Sequence, residues 1–206
     1  MILVDASAAT PAPWKNGGGV TREMLRLPAA GNDARKDDWT LRISVADIDA
    51  DGPFSPFPGI TRWFAVLAGA GVRLRFAERT LNVRPGESPL RFDGADAPDC
   101  ALLQGPTRDL NVMVRSDRAD SLVTPATFRD EAGPGTSPGF GFFSLRPLAL
   151  HGAGAVPIEM PALSLAWCES PFDASRAWAI APLQDTGAAQ EHPLPGYWIR
   201  LLPPKR

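Results

Sequence analysis

Proline and glycine interrupt this chain so often that only short segments of regular structure fit between them. The sequence holds 22 prolines and 19 glycines among 206 residues, about twice the usual share of these two residue types. Both are spread along the chain and separated by short apolar segments, a pattern typical of many strands joined by turns. We therefore predict an all-β fold.

Alternation of apolar and polar residues locates the strands. In segment 39–46 the odd positions are apolar, whereas the even positions carry Arg42 and Ser44, so the two sets lie on opposite faces of one strand. The same criterion and short apolar runs predict the other elements. Strands are expected at 62–67, 72–76, 81–83, 90–92, 101–103, 110–115, 140–145, 163–168, 177–180 and 197–202, a loop at 131–139 and a short helix at 125–130.

Composition and charge disfavour several classes of partner. The formal net charge is −2 and lysines and arginines form no cluster, so a nucleic-acid partner is not expected. No apolar run approaches the roughly 20 residues that span a bilayer, and the N-terminus lacks a secretory signal. We therefore expect no membrane partner and a cytoplasmic location. Cys100 and Cys168 are too few for a disulfide framework and are expected to be buried free thiols.

The most unusual local feature is segment 13–23, which reads PWKNGGGVTRE. Three consecutive glycines weaken a helix or strand, because glycine loses more backbone entropy on ordering than any other residue. They suit a place where the backbone approaches another group closely or takes a positive φ. The alternative is a tolerant surface turn. Because recognition groups flank the glycines, we predict ligand-binding residues here, namely Trp14, Lys15, Asn16, Gly17, Gly18, Gly19, Thr21 and Glu23.

The same segment resembles the opening motif of the HutD/Ves family. The resemblance continues through WTLRISVAD at 39–47, DGPFSPFPGI at 51–60 followed by Arg62, GPT at 105–107 and DLNVM at 109–113. These blocks follow the order of the family over roughly the first 115 residues. From residue 116 onward the resemblance rests on length alone.

The resemblance implies an RmlC-like cupin β-barrel, or jelly roll, in a bicupin architecture of two packed barrels within one HutD/Ves-type chain. The first barrel, with the pocket, would cover approximately residues 1–115, and a second, degenerate barrel would cover residues 116–206. The glycine turn at 66–71 and the Pro-Gly-acid turn at 83–87 have the placement seen in cupin barrels.

Most cupin enzymes hold a metal with histidines and a glutamate, which this chain does not provide. Its two histidines, His151 and His192, both lie in the second half and far apart, whereas a transition-metal site needs several convergent donors. The sequence also lacks a nucleophile elbow and a phosphate loop. We therefore predict no metal, no cofactor and no catalytic residue.

Further ligand-binding residues are predicted inside the first barrel, where one face of each strand points inward. On a solvent-exposed sheet the polar face of segment 39–46 would meet only water. Inside a barrel its polar groups need partners, so the interior is either a closed network or a site awaiting a ligand. Arginine favours a carboxylate, which it grips with two parallel hydrogen bonds. The predicted interior and rim residues are Arg42, Ser44, Phe54, Arg62, Asp109 and Asn111.

The predicted function is metal-free binding of a small carboxylate. The HutD/Ves resemblance implies a role in sensing or governing histidine utilisation, whose intermediates include carboxylates of the urocanate or N-formylglutamate type. One alternative is a metal-independent enzyme that acts on a small carboxylate with Lys15 and Glu23 as an acid/base pair. Another alternative is a protein-interaction or stress-response module. The oligomeric state is left open, and a homodimer is one of the assemblies considered.

Overall fold

A computed structural model describes residues 1–28, 38–128, 130–133, 135, 137–152, 156–169, 177–183 and 194–204. The chain divides into two compact units, of which the N-terminal unit is built mainly from Ala9–Asp120 and the C-terminal unit from Ser121–Pro203 with Met1–Ala8. The first strand, β1 (Ile2–Asp5), is hydrogen-bonded to a strand of the C-terminal unit and not to the first barrel.

The N-terminal unit consists of two antiparallel sheets. Its strands are β2 (Pro11–Pro13), β3 (Gly19–Pro28), β4 (Trp39–Ile48), β5 (Gly52–Pro53), β6 (Ile60–Ala68), β7 (Val72–Arg75), β8 (Thr80–Val83), β9 (Leu90–Asp93), β10 (Asp99–Leu102) and β11 (Thr107–Arg115). The six-stranded sheet has the order β2-β3-β4-β11-β6-β9, and the four-stranded sheet has the order β5-β10-β7-β8.

Strand β4 shows which face of the six-stranded sheet points into this unit. Ile48 belongs to the same core cluster as Leu74, which lies on β7 in the opposite sheet. Because side chains alternate along a strand, Ser44 lies on the same inward face as Ile48. Leu41 and Ile43 on the other face are also fully buried, so β4 is covered on both sides.

The C-terminal unit is a second pair of antiparallel sheets. Its remaining strands are β12 (Asp120–Ala126), β13 (Glu131–Ala132), β14 (Gly139–Ser144), β15 (Leu148–Gly152), β16 (Ile158–Met160), β17 (Ser164–Glu169), β18 (Trp178–Pro182) and β19 (Gly196–Leu202). One sheet has the order β1-β17-β14-β19-β12, and the other has the order β13-β18-β15-β16.

Aromatic rings fill the core of the C-terminal unit. Phe140 stacks on Trp198 with ring centroids 5.5 Å apart, and its centroid lies 5.1 Å from that of Trp178. Leu148 and Ile180 of the facing sheet belong to the same buried cluster. Large apolar side chains therefore occupy the space in which a barrel would otherwise hold a ligand.

The all-β prediction is confirmed, and each predicted strand overlaps an observed one. The predicted helix at 125–130 is wrong, because Pro125 and Ala126 end strand β12 and Thr127 begins a turn. The predicted loop at 131–139 contains the short strand β13 and the first residue of β14. His192 lies outside the described residues. Within the described ranges, no helix is long and apolar enough to cross a membrane.

Candidate functional site

Strands β4, β11 and β6 place several predicted residues in successive rows on the inward face of the six-stranded sheet. Every second residue of a strand points to the same face, and the strand register then sets which residues are neighbours. The rows are Arg42–Met113–Arg62, Ser44–Asn111–Phe64 and Ala46–Asp109–Val66. We define the interior cluster as five buried polar residues of this face, namely Ser44, Arg62, Thr107, Asp109 and Asn111.

Arg62 is a buried cation held by an amide and two aromatic rings. It is only 9% exposed, and its Nε donates to Asn111 Oδ1 at 2.9 Å while its Nη2 donates to the same oxygen. The guanidinium carbon lies 4.3 Å from the Phe54 ring centroid and 5.5 Å from that of Phe92. Burial lowers the pKa of Arg62 to about 10, so the side chain stays charged at neutral pH. Within the described part of the chain, Arg62 forms no ion pair.

Asp109 is a buried carboxyl group with one unpartnered oxygen. The residue is fully buried, and its Oδ2 accepts a hydrogen bond of 3.0 Å from the Thr107 hydroxyl. Its Oδ1 has no hydrogen-bond partner among the described residues. Burial raises the pKa of Asp109 to about 8, although the Thr107 hydrogen bond and the charge of Arg62 both lower it. The carboxyl group is therefore mostly protonated at pH 7, and it does not neutralise Arg62.

The interior cluster contains one fully buried polar atom that the protein leaves without a partner. Among the residues the structure describes, Asp109 Oδ1 is buried and forms no hydrogen bond, and the hydrogen bonds of Arg62 engage its Nε and Nη2. A closed network would pair the buried oxygen, because unpaired buried polar groups cost free energy. The cluster therefore has the character of a site that a polar ligand completes.

Arg42 lies on the same inward face but already has an anionic partner. Its Nε donates to Glu23 Oε2 at 2.7 Å, and Arg26 donates to Glu23 Oε1 at 2.8 Å. Hydrogen bonds from Arg26 and then Arg42 lower the pKa of Glu23 against the effect of burial. Of the two inward-facing arginines, Arg62 is therefore the one whose charge is available to a ligand.

Lys15 and Glu23, the pair considered for acid/base catalysis, are not joined in the structure. Lys15 is exposed, and the described ion pairs of Glu23 are with arginines. A carboxylate whose pKa is lowered by two guanidinium groups is a weak base. The geometry thus gives no support to this catalytic pair.

The glycine segment forms a tight turn ahead of β3. Backbone N–H of Trp14 donates to the Gly19 carbonyl at 2.9 Å, and Gly17 takes a φ of +71°. A Cβ on Gly19 would clash with the carbonyl oxygen of Asp47 on β4. Gly17 is therefore favoured by its positive φ, and Gly19 is required because a Cβ there would clash with the neighbouring strand.

The turn lies at the opposite end of β4 from Arg42. Gly19 pairs with Ile48, six positions from Arg42, which corresponds to about 20 Å of extended chain. Lys15, Asn16 and Gly17 are exposed in this turn. The structure therefore does not bring the exposed turn residues together with Arg42.

Trp14, Thr21 and Phe54 have closer links to the barrel interior. The Trp14 indole donates to the Thr21 hydroxyl at 2.8 Å, and its ring packs against the core cluster that contains Phe54. Phe54 is buried, and its ring centroid lies 5.5 Å from that of Phe64. Phe54 thus packs against the Arg62 guanidinium inside the unit and is not an exposed rim residue.

Phe92 and Thr107 also belong to this environment, although they are not among the site residues predicted from the sequence. Thr107 lies two positions before Asp109 on β11, so alternation alone places it on the same face. Phe92 pairs with Arg62 across β9 and β6. This second relation depends on strand pairing, which no local pattern reveals.

The interior cluster does not fit the transition-metal site that many cupin-fold proteins carry. Its residues offer one carboxyl group, which is mostly protonated at pH 7, and a buried guanidinium that repels a cation. Within the described ranges, no group of three or more histidine, cysteine, aspartate or glutamate side chains converges. A transition metal needs such a set of donors.

We expect the protein, purified without chelators, to contain far less than one transition-metal ion per chain. Inductively coupled plasma mass spectrometry on the dialysed protein measures this directly. About one zinc, iron or nickel ion per chain would show that the donor set has been misjudged.

The all-β architecture of this chain is a cupin-type fold. The oxalate decarboxylase of Lactobacillus farciminis, solved as a formate complex, superposes with a TM-score of 0.59 over 100% of this chain and 87% of its own at 10% identity, which shows the fold alone. More narrowly, the chain belongs to the HutD family, whose profile matches residues 6–173. The predicted resemblance is thereby confirmed.

Individual relatives agree with this assignment. An uncharacterised 21.2 kDa protein in the hutC 3′ region of Pseudomonas putida is 38% identical over 111 residues, covering 52% of this chain and 54% of that protein. Protein Ves of Citrobacter koseri is 35% identical over 114 residues, covering 55% and 57%. The chain thus spans little more than half the length of these curated relatives. The structure of HutD from Pseudomonas fluorescens SBW25 matches 98% of both chains with a TM-score of 0.78 at 24% identity.

Proposed function

We propose that the N-terminal unit binds a small carboxylate without a metal and that Arg62 is its counter-ion. The observation that carries this proposal is the burial of Arg62 without an ion pair among the described residues. A buried cation is costly unless an opposite charge compensates it. A carboxylate in the barrel would supply that charge.

The groups around Arg62 suit the shape of a carboxylate. Two N–H groups of the guanidinium are engaged by Asn111 Oδ1, and Nη1 remains to donate to a ligand. The Ser44 hydroxyl and the Asn111 amide nitrogen lie in the adjoining row of the same face and are further donors. Phe54 and Phe92 hold the guanidinium plane and exclude water, which strengthens a charged hydrogen bond.

Family membership supports a biological role for such a ligand. The HutD family is associated with histidine utilisation, and intermediates of that pathway include urocanate and N-formylglutamate, which are small carboxylates. Binding one of them would let the protein govern the pathway by sensing its flux. A cytoplasmic location and a homodimer remain predictions.

Isothermal titration calorimetry at pH 7.0 with urocanate, N-formylglutamate and their uncharged amides tests this proposal. We expect at least one carboxylate to bind and its amide to bind at least about tenfold more weakly, because charge-assisted hydrogen bonds contribute roughly 1.5–3 kcal/mol. Equal affinity for acid and amide, or no binding of either acid, would refute the proposal.

The alternative of an enzyme makes a different prediction. If the protein only binds its ligand, one-dimensional proton NMR after prolonged incubation should show the carboxylate unchanged. Conversion of the ligand by the parent, and its loss in a Glu23→Gln variant, would instead favour the Lys15 and Glu23 pair. The ion pairs of Glu23 with Arg26 and Arg42 make the first outcome the expected one.

A further inference from the structure

Asp109 and Arg62 interact electrostatically without forming an ion pair. Asp109 lies two residues from Asn111 on the inward face of β11, and Asn111 holds the Arg62 guanidinium. The charge of Arg62 lowers the pKa of Asp109, and the charge of Asp109 raises the pKa of Arg62. A change in the charge of Asp109 therefore changes the field that Arg62 presents to an anion.

The surroundings of Asp109 favour its neutral form. The carboxyl group is fully buried, one of its oxygens accepts a hydrogen bond from Thr107, and the other oxygen has no partner in the described part of the chain. A buried carboxylate with a single hydrogen bond is poorly compensated, so protonation relieves the desolvation cost. The group is placed to change charge near the point where a ligand would bind.

We propose that Asp109 couples anion binding to its own protonation, so that the barrel binds a carboxylate when Asp109 carries a proton. This inference rests on the proposed function, because it concerns the regulation of the Arg62 site. The proton comes from solvent and stays on a carboxyl oxygen, and no other bond forms or breaks. The site then accepts an anion without burying a second unpaired negative charge.

The sign of the coupling follows from the charges. When Asp109 is protonated, the positive charge of Arg62 attracts the ligand. When Asp109 is ionised, it repels the ligand and partly neutralises Arg62. A bound anion therefore raises the pKa of Asp109 above its value of about 8 in the free protein, and affinity must fall as pH rises through that value.

The other titratable groups around Asp109 keep their charge over the relevant range. Burial raises the pKa of the Cys100 thiol on β10 to about 12, so it stays neutral. Burial opposes ionisation of Asp47 on β4, but Arg108 and Arg22 outweigh it and lower the pKa. Glu23 on β3 also has a lowered pKa. Both carboxylates are ionised above pH 6.5, Arg42 is paired with Glu23, and Arg62 on β6 stays mostly protonated at pH 9.0.

Calorimetric titrations with N-formylglutamate and urocanate at pH 6.5, 7.5, 8.5 and 9.0 test the coupling. For the parent we expect Kd to rise about tenfold between pH 6.5 and 9.0, because a group with a pKa of about 8 is about 90% ionised at pH 9.0. Asp109→Asn mimics the protonated carboxyl group and should bind with the same Kd throughout. Asp99→Asn, an exposed change on the outward face of β10, should follow the parent.

A second measurement counts the protons. At pH 8.0, titrations in two buffers with different ionisation enthalpies should show uptake of up to about half a proton per ligand, and none for Asp109→Asn. If neither acid binds at pH 6.5, the proposed function fails. If an acid binds but Kd does not change with pH, or Asp109→Asn keeps the slope of the parent, the proton coupling is overturned while carboxylate binding stands.

Discussion

Replacing Arg62 with glutamine is expected to weaken the binding of a small carboxylate by about 100-fold. The change removes the only buried cation of the interior cluster and leaves a neutral side chain that still reaches Asn111. Loss of a buried, charge-assisted contact costs roughly 3 kcal/mol, which corresponds to a factor of about 100 in Kd. Isothermal titration calorimetry with the acid that the parent binds measures the effect.

Three companion variants separate charge from geometry and from position. Arg62→Lys keeps the charge but loses the planar guanidinium that holds Asn111 Oδ1 through Nε and Nη2 and leaves Nη1 for a ligand, so it should recover little affinity. Arg42→Ala should cost less than Arg62→Gln, because Arg42 is already paired with Glu23. Arg73→Gln changes an exposed arginine on the outward face of β7 and should bind like the parent.

Circular dichroism and thermal unfolding must show that each variant folds before its affinity is interpreted. A folded Arg62→Gln protein that binds the acid like the parent would remove Arg62 from the site. A larger loss in Arg42→Ala than in Arg62→Gln would instead make Arg42 the counter-ion of the carboxylate. Either result would mean that the carboxylate lies at a different level of the barrel.

Strand β4 was predictable because its signal is local. Trp39, Leu41 and Ile43 alternate with Arg42 and Ser44, and this period of two survives in any sheet that buries one face. The same alternation gave the inward placement of Ser44 and of Asn111 on β11. Alternation alone could not show that the polar face of β4 is buried as well as the apolar face.

Strand β3 was missed because a bulge breaks its alternation. The register passes from Glu23 opposite Ser44 to Leu25 opposite Ile43, which leaves Met24 without a partner. An extra residue of this kind reverses the faces of all residues that follow it. A single-sequence search for period two therefore does not recognise the ten residues of β3 as one strand.

The wrong helix at 125–130 has a similarly local cause. The backbone N–H and the hydroxyl of Thr127 both donate to the Asp130 carboxylate at 2.7 Å. Residues of these types three positions apart often begin a helix. Here the same hydrogen bonds close a turn after β12, because Pro125 and Ala126 are already paired in a strand.

The sequence could not show whether Arg42 or Arg62 is available to bind a carboxylate, and the reason is not local. Arg42 is neutralised by Glu23, 19 residues away, and Arg62 is held by Asn111, 49 residues away. Both contacts depend on which strands become neighbours, and nothing in a local pattern encodes that choice. Alternation can thus identify candidate residues. Which of the candidate arginines lacks an anionic partner can be decided only from the fold.

Alanine at Gly19 is expected to lower the melting temperature more than alanine at either neighbouring glycine. A Cβ at Gly19 would clash with the Asp47 carbonyl oxygen on the paired strand β4. Because the backbone of a hydrogen-bonded sheet shifts little, the clash is not easily relieved. Overpacking of this kind costs roughly 1–3 kcal/mol, or about 3–10 °C for a domain of this size. Differential scanning calorimetry measures the shift.

Substitutions at Gly17 and Gly18 serve as controls for Gly19→Ala, because smaller losses of stability are expected there. Gly17→Ala should cost roughly 1–2 kcal/mol because the φ of Gly17 is +71°, and Gly17→Asn should cost less, since asparagine tolerates positive φ. At Gly18 the nearest atom to a new Cβ is Asn16 Oδ1 at 3.5 Å, an ordinary contact, so Gly18→Ala should change little. Because Gly19 lies in the row of Ile48 and Thr107, four positions or about 13 Å along β4 from the Ser44 row, these changes should alter stability more than carboxylate affinity. If all three alanine variants melt like the parent, the segment is a tolerant surface turn, whereas a loss of affinity at unchanged stability would place the turn at the ligand.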